Sequence, residues 1–265
     1  MPGHREFLSQ LENFKHEADV AAQYLYSDMA VQHAASKSKK LLGRLNMTPT
    51  FWRTHMAGMQ VAAYVALGRV FDTKSRYNID SLLNAFESSL RDFSREALAA
   101  RKREDRPTDP EWLPEYLEKS HYPTKRDVER LRKKVVEYRE IYDRAVKPAR
   151  HKYIAHREKT ESAEVQALFA GGKVREHWRL VTFLYSMHEA LWQQYANGRK
   201  PVLRPIRYSV KAIYDSGEEG RSGPHERIVS ETRKLMEFIE NVTADSSIER
   251  TPARRRRSGA ANVER

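Results

Sequence analysis

Residues 150 to 157 bring together side-chain types that can cleave a phosphodiester. The stretch reads Arg150-His-Lys-Tyr-Ile-Ala-His156-Arg157, so two histidines, three cations and a tyrosine lie within about two helical turns. Cleavage of RNA without a metal ion needs a group that accepts the 2′-hydroxyl proton, a group that protonates the leaving oxygen, and a cation that stabilises the phosphorane. Histidine and arginine supply these groups near neutral pH. Arg150 and His156 are therefore the predicted catalytic pair.

The spacing of these residues leaves two alternatives open. Arg144 and His151 lie on one face of an ideal helix, whereas Arg150 and His156 are about 120° apart. Pro148 separates Arg144 from His151 and predicts a kink or a restart, which would place Arg150 in a first helical turn where backbone N–H groups attract phosphate. The same spacing also fits a helix whose charged residues form a solvated face, with His156 as an ordinary packing residue on its apolar side.

Other reaction classes lack their motifs. His16, His188 and His225 each precede a glutamate, but none has the second histidine four residues on that a zinc-protease helix requires. Glu118 and His121 have the spacing of a di-iron helix in a single copy, which we interpret as coincidence. No P-loop and no Gly-x-Ser-x-Gly elbow occurs, and the absence of cysteine excludes disulfides and thiolate chemistry. We expect neither a metal nor a cofactor.

Composition predicts a helical, basic protein. The 265 residues include only 11 Gly and 11 Pro, so long stretches run without helix breakers. The net charge is +12, of which residues 245–265 carry +3 and the body +9. A basic body favours a polyanionic partner such as nucleic acid. There is neither an apolar run long enough to span a membrane nor a signal peptide, so we expect a cytoplasmic protein without a membrane partner.

Apolar periodicity places the helices of the first half of the chain. Residues 5–45 fit one or two amphipathic helices. Thr48-Pro49 has the pattern of a helix start, and the very apolar run 51–71 is the predicted central core helix. Asp80 is the expected cap of a helix that reaches about residue 101. The stretch 101–124 contains four prolines and is predicted to be an excursion loop.

Apolar periodicity also places the helices of the second half of the chain. A long helix is expected from residue 125, with an apolar seam that reaches His156. A helix over 174–195 carries His188 in its apolar stripe, which assigns this histidine to the core. Residues 197–223 look loop-like, with a short alternating piece at 206–210, and a last helix is expected over 224–242. We therefore expect a helical domain 1–197, a segment 198–244 that packs on it, and a disordered basic tail 245–265.

Several motifs together resemble the HEPN superfamily, specifically its abortive-infection branch of the AbiU type. The stretch from Arg150 to Glu158 is similar to that branch's Arg-polar-Lys-x-x-Ala-His-x-acid signature, with His151 at the polar position, where Asn is common. Upstream, Phe51-Trp52, Leu67-Gly-Arg-Val-Phe-Asp72 and Ile79-Asp-Ser-Leu-Leu83 resemble its core helix, the Phe-Asp end of that helix and the helix that follows. The resemblance covers roughly residues 5–197, and the proximity of Pro148 to the motif is a second departure.

The resemblance implies an all-α, antiparallel helical bundle that forms a homodimer. In such a dimer the arginine and histidine of both chains face one composite cleft, so one His156 can act as base and the other as acid beside two copies of Arg150. The resemblance also implies residues that bind RNA or support the motif, although each of them also fits packing or surface charge: His151, Lys152, Tyr153, Arg157, Glu158 and Asp72. Asp72 would either orient the motif or cap a helix.

The leading hypothesis is a metal-independent endoribonuclease of HEPN type, acting in phage defence or as a toxin. It would cut RNA to a 2′,3′-cyclic phosphate through Arg150 and His156. Expected partners are RNA, a second copy of the chain, and a cognate antitoxin or inhibitory protein. The alternative is a catalytically inactive HEPN module that binds nucleotide or RNA or serves as a helical interaction partner. DNA binding through the arginine run at 254–257 rests on charge alone.

Overall fold

The computed structural model describes residues 2–103, 108–155, 172–206, 209–217 and 223–242. These residues form eleven α-helices with one 3₁₀ turn and one π-helical segment, and they include no strand. The predicted all-α fold is confirmed. In chain order the elements are α1 Pro2–Lys37, α2 Lys39–Leu45, α3 Pro49–Phe71, α4 Ile79–Ser88, the 3₁₀ turn Leu90–Phe93, α5 Arg95–Arg103, α6 Leu113–Lys119, α7 Lys125–Ala145, α8 Lys147–Ala149, the π-helical segment Arg150–Ala155, α9 Val174–Asn197, α10 Val210–Ser216 and α11 Pro224–Asn241.

The long helix α1 organises the bundle. It packs against α3, α4, α9 and α11, and its apolar positions at steps of three and four residues are buried, as the sequence predicts. Aromatic rings join the neighbouring helices: Phe71 stacks on Tyr142 with ring centroids 5.4 Å apart and on Phe183 with centroids 6.2 Å apart. These contacts tie α3, α7 and α9 together at the place where the predicted motif begins.

The apolar run of α3 belongs to the core only in its second half. Thr48 is the N-cap and Pro49 the first residue, so the predicted start is confirmed. From Met59 onward the helix is largely buried, but Phe51 is 60% exposed and its neighbours are mostly exposed as well. In the first turns only Trp52 and Met56 pack, partly buried, on a small apolar cluster of α1, α2 and α11, so the expectation of a central core helix over 51–71 holds for the second half.

The helix expected from Asp80 to residue 101 is divided into three pieces. Asn78 is the N-cap, since its side-chain oxygen accepts the backbone N–H of Ser81 at 2.8 Å. Asp80 lies instead in the first turn, where it accepts a hydrogen bond from Arg139 of α7 at 2.6 Å. The helix α4 then ends at Ser88, and the 3₁₀ turn redirects the chain into α5.

The proline-rich stretch 101–124 differs from the predicted excursion loop. Helix α5 continues to Arg103, and α6 forms with Pro114 in its first turn, where a missing N–H costs nothing. Leu113 and Leu117 of α6 pack on Leu98 and Ala99 in a small core of their own. The prolines therefore mark a helix start within a packed substructure, which periodicity over so short a run could not reveal.

Helix α9 is buried on more sides than its predicted stripe. Val174 of that stripe is 49% exposed, while Leu180, Leu184 and Met187 are completely buried. The assignment of His188 to the core is wrong. It is half-buried in the wall of an apolar cavity of about 850 Å³ between α1, α9 and the start of α11, where burial lowers its pKa to about 4.

The C-terminal segment also contains more helix than expected. Val210, predicted to end an alternating piece, begins α10, and both α10 and α11 contact α1. The last helix, expected over 224–242, is confirmed as Pro224–Asn241. The predicted tail 245–265 lies outside the described residues. No helix in the described part of the chain is both long and apolar enough to cross a membrane.

Candidate active site

A break in the helical path positions Arg150. Helix α7 ends at Ala145, and Val146 leaves helical geometry with φ −121° and ψ −47°. Pro148 then lies in the first turn of α8, and the π-helical segment starts at Arg150. The predicted kink or restart at Pro148 is confirmed, and π-helical turns of this kind are frequent at functional sites. The backbone N–H of Arg150, however, donates to the carbonyl of Val146 at 3.1 Å, so the expected free N–H for phosphate is wrong.

The Arg150 side chain is fixed by Asp72 at the end of α3. Its Nη1 donates to Asp72 Oδ2 at 2.7 Å, and both side chains are about one fifth exposed, at 22% and 21%. Asp72 is also the C-cap residue of α3, and its Oδ1 accepts the backbone N–H of Lys74 at 3.1 Å. Asp72 thus lies at the C-cap position of α3 and its carboxylate binds the motif arginine, while its role in supporting the motif stays a prediction.

Gly68 provides the space that Arg150 occupies. It lies one turn before Asp72 on α3, and a Cβ atom at this position would collide with Nε and Cδ of Arg150 and lie 2.7 Å from its Cζ. Gly68 belongs to the motif Leu67–Asp72, but that pattern alone predicts no role for it. The available signal was a glycine inside the most apolar helix of the chain, where glycine lowers helix stability unless a close approach requires it.

Tyr142 lies close to the Arg150 guanidinium. Its ring is 1% exposed and stacked on Phe71, and its hydroxyl lies near Arg150 without reaching hydrogen-bond geometry. Burial raises the pKa of Tyr142, and the positive charge of Arg150 opposes that rise. We use the name Arg150 pocket for Arg150 together with Asp72, Gly68 and Tyr142.

The electrostatics of the Arg150 pocket keep the ion pair charged. Burial raises the pKa of Asp72, but the N–H of Lys74, the Arg150 guanidinium and the charge of His151 together hold it below its usual value. Burial on its own would lower the pKa of Arg150. Several effects outweigh burial and raise this pKa, and the hydrogen bond to Asp72 is the largest of them. Asp72 is thus a carboxylate and Arg150 a cation at neutral pH.

The other predicted site residues divide into described and undescribed positions. His151 and Lys152 are exposed, and the backbone of Tyr153 belongs to the π-helical segment. The side chain of Tyr153 and the residues His156, Arg157 and Glu158 lie outside the described residues. The structure therefore defines the arginine half of the predicted catalytic pair together with its support.

The alternative pair of Arg144 and His151 loses its geometric argument. That argument assumed one straight helix, whereas the break after Ala145 lies between the two residues. Arg144 donates to Glu176 of α9 at 2.6 Å. This ion pair joins the end of α7 to the start of α9 and leaves the Arg144 side chain 62% exposed.

His177 is a supporting residue that sequence reasoning missed. It is 5% exposed, and its Nε2 lies 3.0 Å from the Tyr64 hydroxyl of α3. Burial lowers the pKa of His177 despite a hydrogen bond to the carbonyl of Ala145, the last residue of α7. The neutral ring thereby joins α3, α7 and α9 next to the break before Arg150. Its position outside the predicted stripe of α9 concealed it.

Comparison with known proteins identifies the family to which the chain belongs. No curated protein and no solved structure matches the chain. The AbiU2 family of HEPN proteins matches residues 5–213, which is most of the chain and includes α3, the Arg150 pocket and the whole predicted motif. The chain is a member of the HEPN AbiU2 family.

Proposed function

We propose that this protein is a metal-independent endoribonuclease that cleaves RNA with Arg150 and His156, in phage defence or as a toxin. The observation that carries the proposal is the Arg150 pocket: a family-motif arginine held in one orientation by Asp72, in a space left by Gly68. A preorganised cation is what a phosphorane requires, because no reorganisation is then needed as charge develops. A guanidinium has five N–H donors, so the bond to Asp72 leaves donors for phosphate.

The proposed reaction uses a twofold dimer. One His156 takes the proton of the 2′-hydroxyl, whose oxygen attacks the adjacent phosphorus atom. The bond from phosphorus to the 5′-oxygen breaks, and His156 of the second chain protonates that oxygen. Arg150 stabilises the negative charge on the phosphorane, and the products are a 2′,3′-cyclic phosphate and a 5′-hydroxyl. A cognate antitoxin or inhibitor would act by covering this cleft or by separating the dimer.

The test is cleavage of a mixed RNA pool in EDTA with analysis of the new ends. We expect cyclic-phosphate ends from the wild type and a loss of at least about 100-fold in His156→Ala and Arg150→Ala. His55→Ala is the matched control, because His55 is exposed on the first half of α3, away from the motif. Light scattering and circular dichroism establish that each variant is folded and dimeric. Undiminished cleavage by folded, dimeric His156→Ala contradicts the proposal.

A second candidate function is a catalytically inactive module that binds RNA or nucleotide, or a helical interaction partner. The observation that favours it is the same ion pair, since Asp72 offsets part of the charge that Arg150 would offer to a phosphorane. His151 at the motif position where Asn is common points in the same direction. RNA binding without cleavage by the wild type or any variant would support this candidate.

A further inference from the structure

The loop between α9 and α10 carries a concentration of positive charge. Residues 198–206 include Arg199, Lys200 and Arg204, and all three line a cavity of about 820 Å³ near the start of α7. Lys102 of α5 and Lys119 of α6 complete the wall, and no carboxylate side chain lines it. Lys119 is paired with Glu115, whereas the other four cations repel each other, and an anion that enters the cavity relieves that repulsion.

This loop is held in place by its backbone. Gly198 has φ +56° and ends α9, and its carbonyl accepts the N–H of His121 at 2.6 Å. The carbonyl of Pro201 accepts a hydrogen bond from Arg130 at 3.3 Å, and that of Arg204 accepts one from Ser186 at 2.8 Å. The cationic side chains therefore project from a fixed backbone, which lowers the entropy lost when a ligand binds.

A second depression continues the first along α7 and α9. It has a volume of about 380 Å³ and shares Arg204 with the first cavity. Lys134, Arg175 and Arg179 line it together with a single carboxylate, Glu137, which pairs with Lys134 at 2.9 Å. We call the two depressions together the basic groove.

Aromatic rings alternate with these cations. Tyr138 and Trp178, both half-buried, line the second depression, and Tyr116 lines the first. Tyr138 is stacked on Phe183 with ring centroids 3.9 Å apart, and the Arg179 guanidinium lies 5.9 Å from the centre of the Tyr138 ring. Phe183 already covers one face of the Tyr138 ring, so a base would stack on the other face, beside Arg179, or on Trp178. Cations that contact phosphates and rings that stack on bases are the two components of single-strand recognition.

We propose that the basic groove binds single-stranded RNA and guides it toward the Arg150 pocket, an inference that rests on the proposed function. The lining residues of α9 run from Asn197 in the first cavity to Arg175 in the second, a distance of about 33 Å along the helix. The groove ends at Arg175, next to Glu176, which pairs with Arg144 at the end of α7 that leads to Arg150. A duplex would not expose its base faces to the aromatic rings, so the groove favours single strands.

The experiment measures binding separately from cleavage. A fluorescein-labelled oligouridine is titrated by anisotropy into full-length His156→Ala and into the same protein with Arg199→Glu and Lys200→Glu added. We expect affinity to fall at least about tenfold and the slope of log affinity against log salt to flatten by about 1.4, for two lost phosphate contacts. The matched control adds Lys39→Glu and Lys40→Glu instead, which make the same charge change on the exposed start of α2.

The outcomes separate this inference from the proposed function. Loss of binding in the groove variant with retention in the control supports the groove, even if the wild type cleaves nothing. Equal losses in both variants, absence of oligouridine binding in the His156→Ala background, or preference for an RNA duplex or for anionic vesicles over the single strand would each overturn it. Cleavage with cyclic-phosphate ends together with equal losses would keep the nuclease and remove the groove.

Discussion

The Arg150 pocket and the basic groove both present arginine, but they hold it in different ways. Arg150 is paired with a carboxylate, packed against a glycine and close to a buried tyrosine. Arg199 and Arg204 line a cavity without a carboxylate, on a loop held by backbone hydrogen bonds and by Leu203, which packs against the core. A cation that stabilises a transition state must occupy one position, whereas cations that attract a polyanion act through their summed field.

The largest expected effect comes from filling the space that Gly68 leaves for the Arg150 side chain. In Gly68→Ala the new Cβ would collide with the flexible Arg150 side chain, so the side chain moves while α3 stays in place. Displacement by about 1 Å from a productive position costs about 100-fold in rate, which is the expected loss of RNA cleavage. The melting temperature should change little.

Gly58→Ala is the matched control on the same helix, because a Cβ at that position meets nothing within 4 Å. It should retain full cleavage and gain about 0.5–1 kcal/mol in the free energy of unfolding. Equal cleavage by both variants would show that the position of Arg150 is irrelevant.

Removal of the charge of Asp72 should cause the next largest loss of RNA cleavage. Asp72→Asn preserves shape but weakens the hold on Arg150, so we expect cleavage at saturating RNA to fall about tenfold and oligouridine affinity to stay the same. Asp80→Asn, which loses the ion pair with Arg139, is the control for general loss of a surface pair. A faster Asp72→Asn enzyme would instead show that the carboxylate suppresses the arginine.

The basic groove predicts the opposite kinetic signature. Arg199→Glu with Lys200→Glu should raise KM about tenfold with kcat unchanged, since it removes attraction that acts equally on substrate and transition state. Steady-state kinetics at two salt concentrations checks this split. A fall in kcat alone would place these residues in the chemistry and remove the distinction between the two regions.

The smallest expected effect is a loss of folding stability in acid. The pKa of Asp72 is lowered in the folded state, so its stabilisation is present above the unfolded pKa and is lost as pH falls through the folded value. We expect urea unfolding of the wild type to lose less than about 1 kcal/mol from this pair between pH 5 and pH 2. The free energy of unfolding of Asp72→Asn should fall less over that interval. The same pH dependence in both proteins would contradict the ion pair.

Sequence reasoning succeeded where one local pattern decides the outcome. The start of α3 at Pro49, the break at Pro148 and the last helix follow from proline geometry and apolar spacing, which act within a few residues. It failed where distant parts meet. Helix α6 packs on an apolar partner that α5 offers, and His188 lies in the wall of a cavity whose other lining comes from α1 and the start of α11.

The sequence by itself determined the all-α class, the basic character and the choice of Arg150 within a family motif. Tertiary structure alone decided that Asp72, 78 residues earlier, pairs with that arginine and that Gly68 makes room for it. It also decided that cations from α5, α6 and the loop after α9 line one cavity. The physical reason is range: helix propensity and capping act over a few residues, whereas ion pairs and cavities depend on which helices pack together.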